Sequence, residues 1–278
     1  MNQYRILIDC ADKKGLVFKI SKLLFELELN ILSNHEFVDS ENQKFFMRSV
    51  VEGNIEEVSL REKLLEVLDD KVNLHLVSPI KKNIVLMVTK ESHCLGDILI
   101  RYEAGELDAN IVGVVSNYDI LGPLVQKFNI PFFCVSHLEL SRDEHEAKVL
   151  ECLAQFKDID YIVLAKYMRI LTPTFVEAYK TKIVNIHHSF LPSFIGANPY
   201  KQAHERGVKI IGATAHFVTN DLDEGPIISQ DVINVKHDHS WKDMQRSGRD
   251  VEKITLSRAL KLVLEDRIFV HKNKTVIF

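Results

Sequence analysis

The sequence predicts an α/β protein with two domains: a ferredoxin-like βαββαβ unit, followed by a doubly wound, mostly parallel sheet of the Rossmann-like kind. Within roughly the first eighty residues, the apolar pattern runs strand, helix, two strands, helix, strand. From Asn83 onward, continuous apolar strands alternate with helices, which is typical of a parallel sheet covered on both faces. At 278 residues, 46% of them hydrophobic, the chain is long enough to bury two cores.

The elements of the first unit are marked by changes in hydrophobic period. "YRILIDC" predicts a strand, and the apolar spacing from Leu16 to Leu27 predicts a helix with Asp12 as its N-cap. "ILSNHEFVD" and "FFMRSVVEG", separated by the polar "SENQK", predict a hairpin. A helix from about Ile55 to Leu68 and the strand "NLHLVSP" complete the unit. The polar stretch "SPIKK" then marks a boundary, so we expect domains at residues 1–80 and 81–278.

The second domain is predicted to contain the strands "IVLMVT", "ANIVGVVSN", "PFFCVS" and "YIVLA", with helices after Cys94, near Leu121 to Phe128 and from Arg142 to Phe156. Near the carboxyl end, "SWKDMQRSGRDVEKITLSRALKLVLEDR" predicts one helix interrupted near Gly248, and "FVHKNKTVIF" predicts a hairpin. In sheets of this kind, ligands bind beyond the carboxyl ends of the strands. We therefore expect the functional site at that edge.

Composition excludes several classes of protein. A net charge of -4 without a basic cluster predicts no nucleic-acid partner. The chain has no run of about eighteen apolar residues, and its start lacks a basic segment leading into a cleavage site, so we expect no membrane partner and a cytoplasmic location. The four cysteines are widely spaced without a CxxC pattern, which predicts reduced thiols rather than disulfides or a zinc site.

The stretch "VNIHHSFLPSFIGANPY" ends a buried strand with an amide and an imidazole. Strand alternation places Asn185 and His187 on the same side. Further on, "KIIGATAHFVTNDLDEGPIISQ" predicts two strands around a loop that carries Asp221, Asp223 and Glu224. A carboxylate that orients water, a polarising imidazole and a neutral donor suit attack on a carbonyl group. A solvated acidic loop beside a capping histidine is the alternative that these residues leave open.

Two further histidines are less clearly functional. Alternation turns His188 away from the side that Asn185 faces, so both simple packing and a role with water stay open for it. His216 lies inside a predicted strand, and we expect it to be a structural histidine with its hydrogen bonds satisfied. We expect Asp221 and Glu224 to be solvated or to cap the loop.

Several separated motifs, in order, resemble the folate-dependent formyltransferase family over roughly Asn83 to Phe278. They are Asn185-Ile186-His187, Ser189, Leu191-Pro192, Gly196, His216-Phe217-Val218 and Leu222-Asp223-Glu224-Gly225-Pro226. The resemblance implies the formyltransferase fold and a catalytic trio of Asn185, His187 and Asp223. "AKYMRILTP" resembles the loop that contacts the pterin ring. The substrate-binding residues implied are therefore Met168, Arg169, Ile170 and Leu171, together with His188 and Gly196.

Two departures indicate a branch of that family. "VTKESHCLGDIL" lacks the glycine- and serine-rich loop that would hold a phosphate, which argues against a ribonucleotide acceptor. "NIHHSFLPSFIGANPY" and "RSGRDVEK" resemble members that hydrolyse 10-formyltetrahydrofolate to tetrahydrofolate and formate. This implies an enzyme of one-carbon and purine metabolism with folate as substrate and no metal or nucleotide cofactor. The alternatives are transfer to a small amine acceptor and a non-catalytic amino-acid or folate sensor.

The first unit, with "DKKGLVFKISKLL", resembles an ACT domain. That resemblance implies a homo-oligomer and a small amino-acid effector, for which glycine and methionine are the candidates. The residues where we expect effector contacts are Asp12, Gly15, Leu16, Asn30 and Leu32.

Overall fold

The computed structural model describes residues 2–68, 71–193 and 199–278, and it divides into two compact units. The first comprises Met1–Ile80, Asp266–Phe269 and Val276–Phe278, and the second comprises Lys81–Glu265 and Val270–Thr275. The expected domains, 1–80 and 81–278, place the short carboxyl-terminal segments in the second domain, whereas the structure groups them with the first unit.

The first unit has the predicted βαββαβ order. Its elements are β1 (Asn2–Ala11), α1 (Leu16–Glu26), β2 (Asn30–Asp39), β3 (Lys44–Gly53), α2 (Glu57–Val67) and β4 (Asn73–Val77). The strands form an antiparallel sheet in the order β2-β3-β1-β4. Alternate residues of β1 are buried against helix residues that recur every four positions, including Ile20 and Leu24 of α1 and Leu60 and Leu64 of α2. Every second residue of the strand and every fourth residue of the helices thus pack in one core, as the hydrophobic pattern predicted.

The start of α1 differs from the prediction. The helix begins at Leu16 after Gly15, which has a φ of 87° and makes no side-chain cap. Asp12 is not the N-cap; its backbone N–H donates to the Gln43 carbonyl at 2.9 Å, in the turn between β2 and β3. A glycine that accepts a left-handed backbone turns the chain into the helix here, so no capping side chain is needed.

The other face of this sheet is covered by the end of the chain. Phe269 packs edge-on against Phe46, with ring centroids 5.6 Å apart. The guanidinium of Arg5 lies 2.9 Å from the carboxylate of Asp266, and Arg48 donates to the Asp266 carbonyl at 2.8 Å. These contacts explain why the segment joins the first unit.

The second unit has the predicted mostly parallel sheet. Its elements are β5 (Lys82–Val88), α3 (His93–Glu103), β6 (Ala109–Ser116), α4 (Gly122–Gln126), β7 (Phe132–Cys134), α5 (Arg142–Leu153), β8 (Tyr161–Leu164), α6 (Pro173–Ala178), β9 (Ile183–His187), α7 (Pro199–Arg206), β10 (Ile210–Phe217), β11 (Ile227–Asn234) and α8 (Trp241–Leu264). The strand order is β11-β10-β9-β8-β5-β6-β7; β10 is antiparallel to both β9 and β11, and the other neighbouring pairs are parallel. The predicted final hairpin follows as β12 (Ile268–His271) and β13 (Lys274–Ile277).

Helix α8 is continuous, so the predicted interruption near Gly248 is wrong. Gly248 is buried, and a Cβ placed there would overlap the hydroxyl of Tyr200. That hydroxyl donates to the Glu252 carboxylate one turn further along α8, at 2.6 Å. The glycine therefore provides room for a side chain and does not break the helix. Neither α8 nor any other helix within the described ranges is long and apolar enough to cross a membrane.

We expect Gly248→Ala to lower the free energy of unfolding by about 1 to 3 kcal/mol, since Tyr200 must move and lose its bond to Glu252. Gly96→Ala is the matched control, because a Cβ on this α3 residue meets nothing within 4 Å. The control should gain about 0.5 to 1 kcal/mol from helix propensity. Urea unfolding of both variants measures the difference, and equal stabilities would contradict the role assigned to Gly248.

Candidate active site

A cavity of about 360 Å³ lies beside the carboxyl ends of β8 and β9, at the edge where a ligand site is expected. The predicted Asn185, His187 and Asp223 all line it. So do His188 and the predicted loop Met168–Leu171. Gly196, the other predicted substrate contact, lies outside the described residues.

Asn185 is oriented by the strand next to it. β9 and β10 pair antiparallel with His216 directly opposite Asn185, and the Asn185 Nδ2 lies 3.2 Å from His216 Nε2. On the other side of the ring, Nδ1 lies 2.9 Å from the Phe217 carbonyl oxygen. A carbonyl only accepts, so Nδ1 donates and Nε2 accepts from the Asn185 amide. One N–H of that amide thus stays available for a ligand.

His216 is therefore more than the structural histidine expected from the sequence. It is 2% exposed, and burial lowers the pKa of its imidazole, which agrees with a neutral ring. The signal that would have found it is strand register: once β9 and β10 are paired, His216 must face Asn185.

His187 and Asp223 form the second polar contact of the site. His187 Nδ1 lies 3.2 Å from Asp223 Oδ1, and His187 is only 7% exposed. Burial acts to raise the pKa of Asp223, but the hydrogen bond from His187 and the neighbouring imidazoles outweigh it, so this pKa lies below its ordinary value. Asp223 is thus a carboxylate at neutral pH. Among the described residues, His187 Nε2 has no protein partner, although it is buried.

A tight loop carries Asp223 back along β9. The Val218 N–H donates to the Ile183 carbonyl at the start of β9, at 2.9 Å, whereas Asp223 reaches His187 at the end of that strand. Asp223 itself has a φ of 58°, a left-handed conformation that aspartate and asparagine tolerate better than most residues. The local fold thus holds the carboxylate over the strand end.

Gly225 closes this loop. A Cβ at that position would overlap the carbonyl oxygen of Phe217, whose N–H donates to the Pro226 carbonyl at 2.9 Å. Asn273, in the turn of the final hairpin, donates to the Glu224 carbonyl at 2.8 Å. The loop is thus fixed on both sides of Asp223, which preorganises the carboxylate.

The predicted folate-contacting loop follows β8. Met168 and Ile170 are each 57% exposed although they are apolar, and both line the cavity. The loop is anchored by the Met168 N–H, which donates to the Thr89 hydroxyl at 2.9 Å. It is also anchored by Leu171, whose carbonyl accepts from Arg142 at 2.7 Å. An apolar rim of this kind suits the flat ring of an aromatic ligand.

Strand alternation predicted that His188 turns away from the site, but in the structure it does not. β9 ends at His187, so the alternation stops there, and His188 lines the same cavity as Asn185. Its ring centroid lies 5.1 Å from that of His187. Burial, aided by the positive charge of Lys166, lowers the pKa of His188 to about 4. The site therefore contains a neutral imidazole at this position at pH 7.

A buried ionic network next to the cavity was missed by the sequence analysis. Glu252 is 1% exposed and accepts a hydrogen bond from Tyr200. Its Oε2 lies 2.7 Å from His93 Nε2 and 3.3 Å from Lys166 Nζ. Burial would raise the pKa of Glu252, but these partners lower it to about 2. A charged residue on the apolar face of α8 is the only sequence signal for this network.

The same network offers three donor atoms, from His93, Cys94 and Glu252, within 4.8 Å of one another. Lys166 already compensates the Glu252 carboxylate, and His93 hydrogen-bonds it. Burial raises the pKa of the Cys94 thiol, which disfavours the thiolate that a metal would need. The group is thus better described as an ion-pair network than as a metal centre.

Comparison with known proteins identifies the family. Residues 82–260 match the family described as formyl transferase. A formyltetrahydrofolate deformylase of Haemophilus influenzae is 55% identical over 272 residues, which cover 98% of each chain. One of Bacillus subtilis is 45% identical over 285 residues, covering 99% of this chain and 93% of that protein. The chain belongs to the formyltetrahydrofolate deformylase family.

Solved structures agree with this deformylase family. The crystal structure of a formyltetrahydrofolate deformylase from Pseudomonas syringae pv. tomato superposes with a TM-score of 0.96 at 41% identity, covering 100% of this chain and 95% of that one. A glycinamide ribonucleotide transformylase from Symbiobacterium toebii gives a TM-score of 0.68 at 29% identity, covering 74% of this chain and 98% of that one. The resemblance seen in the sequence is thus confirmed, and the deformylase match extends over the first unit as well.

In this deformylase-family protein, His188 should make stability fall with acidity. The unfolded chain binds a proton at His188 near pH 6.5 and the folded chain only near pH 4, so unfolding becomes easier as the pH drops through that window. Glutamine cannot titrate in this range. Between pH 7 and pH 4, we expect the free energy of unfolding of His188→Gln to fall by on the order of 2 kcal/mol less than that of the wild type. Urea unfolding at both pH values measures this, and equal losses would show that His188 is not held neutral.

Proposed function

We propose that this protein hydrolyses 10-formyltetrahydrofolate to tetrahydrofolate and formate. The supporting observation is the convergence of Asn185, His187 and Asp223 on one cavity, in a chain whose relatives are named formyltetrahydrofolate deformylases. The exposed apolar side chains of Met168 and Ile170 at the rim would receive the pterin ring. The formyl group then lies towards the polar side chains, with His188, Arg169, Leu171 and Gly196 as further substrate contacts.

Attack on the formyl carbon uses the ionised carboxylate. Asp223 orients a water molecule and accepts its proton as the oxygen–carbon bond forms. Because the pKa of Asp223 is lowered, the carboxylate is available as an acceptor at neutral pH. Its left-handed backbone and the closed loop around it limit the reorganisation that the step requires.

The developing oxyanion is stabilised by two donors. The free N–H of Asn185, whose amide is oriented by His216, donates to the formyl oxygen. The second donor is His187, whose Nε2 faces the formyl oxygen while Asp223 orients the ring through Nδ1. Removing one such donor typically costs about 3 to 4 kcal/mol of barrier. The intermediate then collapses, the bond between carbon and N10 breaks, N10 takes up one of the two protons of the attacking water, and formate leaves as the other proton is released.

In this proposal folate is the substrate, and the chain uses no metal or nucleotide cofactor. The carboxylate supplies the base, and the amide and imidazole supply the oxyanion donors, so each role is met by a side chain at the cavity. The site also needs no acceptor molecule, since water is the nucleophile.

The first unit is proposed to regulate the enzyme and to assemble it as a homo-oligomer. β2 is an edge strand of ten residues, and Leu32 and Phe37 on it are each 46% exposed. On α1, Phe18 is 68% and Phe25 81% exposed. An unpaired edge with large exposed apolar groups favours association with a second copy.

The expected effector contacts lie at the ends of the same elements. Gly15 turns the chain into α1, and the backbone amides that follow it favour a carboxylate such as that of an amino acid. The Leu16 side chain is buried, so Leu16 would contribute its backbone amide, whereas Asp12 and Asn30 are exposed. Leu32, also exposed, would give an apolar contact.

We expect Asp223→Asn to lower turnover by about a hundredfold or more while folate binding survives, because the amide cannot accept the proton of water. Asparagine tolerates the same left-handed backbone, so the loop should keep its shape. Glu224→Gln, an exposed neighbour, is the control and should keep wild-type turnover. Formate release from 10-formyltetrahydrofolate without an acceptor is the assay. If the folded wild type releases no formate in this assay, the proposed hydrolase function is wrong.

We expect Phe25→Glu to shift the protein towards a smaller assembly, since a charge replaces an exposed apolar contact of α1. Val58→Glu, which introduces the same charge on α2 at a residue 69% exposed, is the control. Light scattering after gel filtration measures the mass. An unchanged mass in Phe25→Glu, or an equal shift in both variants, would remove α1 from the proposed interface.

A further inference from the structure

A second cavity of about 390 Å³ adjoins the first one. The two cavities share Lys166, Met168 and His188 as lining residues. The second is further lined by Glu252 and Arg249, among others. A nucleophile that reaches the formyl carbon from this side therefore passes the wall formed by Lys166, Met168 and His188. The proposed hydrolysis needs only water, so the chemistry of this cavity bears on why other nucleophiles do not react.

Lys166 is tightly held at the junction of the cavities. It is 5% exposed, and its Nζ lies 3.3 Å from Glu252 Oε2. Glu252 is itself fixed by Tyr200 and His93. The backbone of Lys166 has a φ of 66°, an uncommon value for a lysine, and it turns the chain from β8 into the folate-contacting loop. The ammonium group is thus a built part of the cavity wall.

We propose that Lys166, held by Glu252, selects water over amines as the nucleophile by keeping a fixed positive charge at the entrance from the second cavity. The proposal rests on the proposed hydrolase function and names the residue that distinguishes hydrolysis from formyl transfer to an amine.

The charges around the second cavity oppose an amine. An aliphatic amine arrives mainly as an ammonium ion, and a second cation beside Lys166 in a partly buried site is repelled. A carboxylate could compensate it, but Glu252 is already paired with Lys166 and His93. Glu91, the other carboxylate of the described lining, lies 3.3 Å from Arg249 and 3.4 Å from His93. Each carboxylate of the described lining therefore already has a cationic partner, and none is left for an incoming ammonium ion.

Water and formate meet no such barrier. Water is neutral, and the neutral ring of His188 between the two cavities can hydrogen-bond it. Formate is an anion, and Lys166 and Arg249 on the described lining can donate hydrogen bonds to it. The same charge that repels an ammonium thus favours release of the product on this side.

The two reactions differ only in the attacking atom. In hydrolysis, the water oxygen bonds to the formyl carbon, the carbon–N10 bond breaks, N10 gains one proton of the water, and formate forms as the other proton is released. In transfer, the amine nitrogen bonds to that carbon and loses a proton, N10 gains one, and an N-formyl amine forms. Both consume 10-formyltetrahydrofolate, so the ratio of the two products measures the choice of nucleophile directly.

The test uses the full chain with 10-formyltetrahydrofolate and glycinamide, and it measures formate and N-formylglycinamide in the same reaction. Lys166→Met removes the charge and keeps the length of the side chain. We expect the ratio of N-formylglycinamide to formate to rise about tenfold or more in this variant, as a change of roughly 1.4 kcal/mol in relative barriers would produce. Lys166→Arg keeps the charge and should keep the wild-type ratio. A merely structural lysine would change the total rate without changing the ratio.

A second variant provides the test if Lys166→Met is too unstable to fold. Lys166→Met combined with Glu252→Gln removes both charges, and the amide retains a partner in Tyr200. The same rise in the product ratio is expected there. If a variant that is folded and consumes 10-formyltetrahydrofolate keeps the wild-type product ratio, the proposed role of Lys166 is wrong. Failure of the hydrolase function gives a different result, namely wild-type protein that releases no formate when glycinamide is absent.

Discussion

The candidate site depends on one constraint, the antiparallel pairing of β10 with the last parallel strand, β9. The register of this pair places His216 opposite Asn185 and orients its amide. Because β10 runs against β9, the loop that follows starts beside Ile183 and must return along β9 to bring Asp223 to His187. A parallel neighbour would instead have ended beside His187, without placing His216 opposite Asn185 in this register. The register of the antiparallel pair and the loop that returns along β9 thus bring three separate parts of the sequence together.

Much of the arrangement was predictable because it depends on local pattern. The order of elements in both units, the strand that ends at His187 and the acidic loop after the next strand all follow from hydrophobic period and turn composition. The proximity of Asp223 to Asn185 and His187 was predictable only through the family resemblance, since no sequence spacing fixes the distance between a loop and a strand end. The structure then supplies the 3.2 Å contact between His187 and Asp223.

What escaped prediction depends on tertiary contacts. Gly248 looked like a helix breaker because glycine has low helix propensity, yet its role is set by Tyr200, which lies far away in sequence. Lys166 and Glu252 gave no signal as a pair, because charged residues are normally exposed and their partners are unknown until the chain is folded. Asp12 had the composition of a cap, but the conformation of Gly15 made a cap unnecessary. In each case the neighbour, and not the residue type, decided the outcome.

The covering of the first sheet by residues 266–269 and 276–278 has a consequence for synthesis of the protein. Phe46 and Arg5 are made early, but Phe269 and Asp266, which they contact, are made only after α8. The first four strands can pair as they leave the ribosome, whereas one face of their sheet stays uncovered until residues 266–269 have been translated. Folding of this unit therefore cannot be completed before most of the second unit has been made.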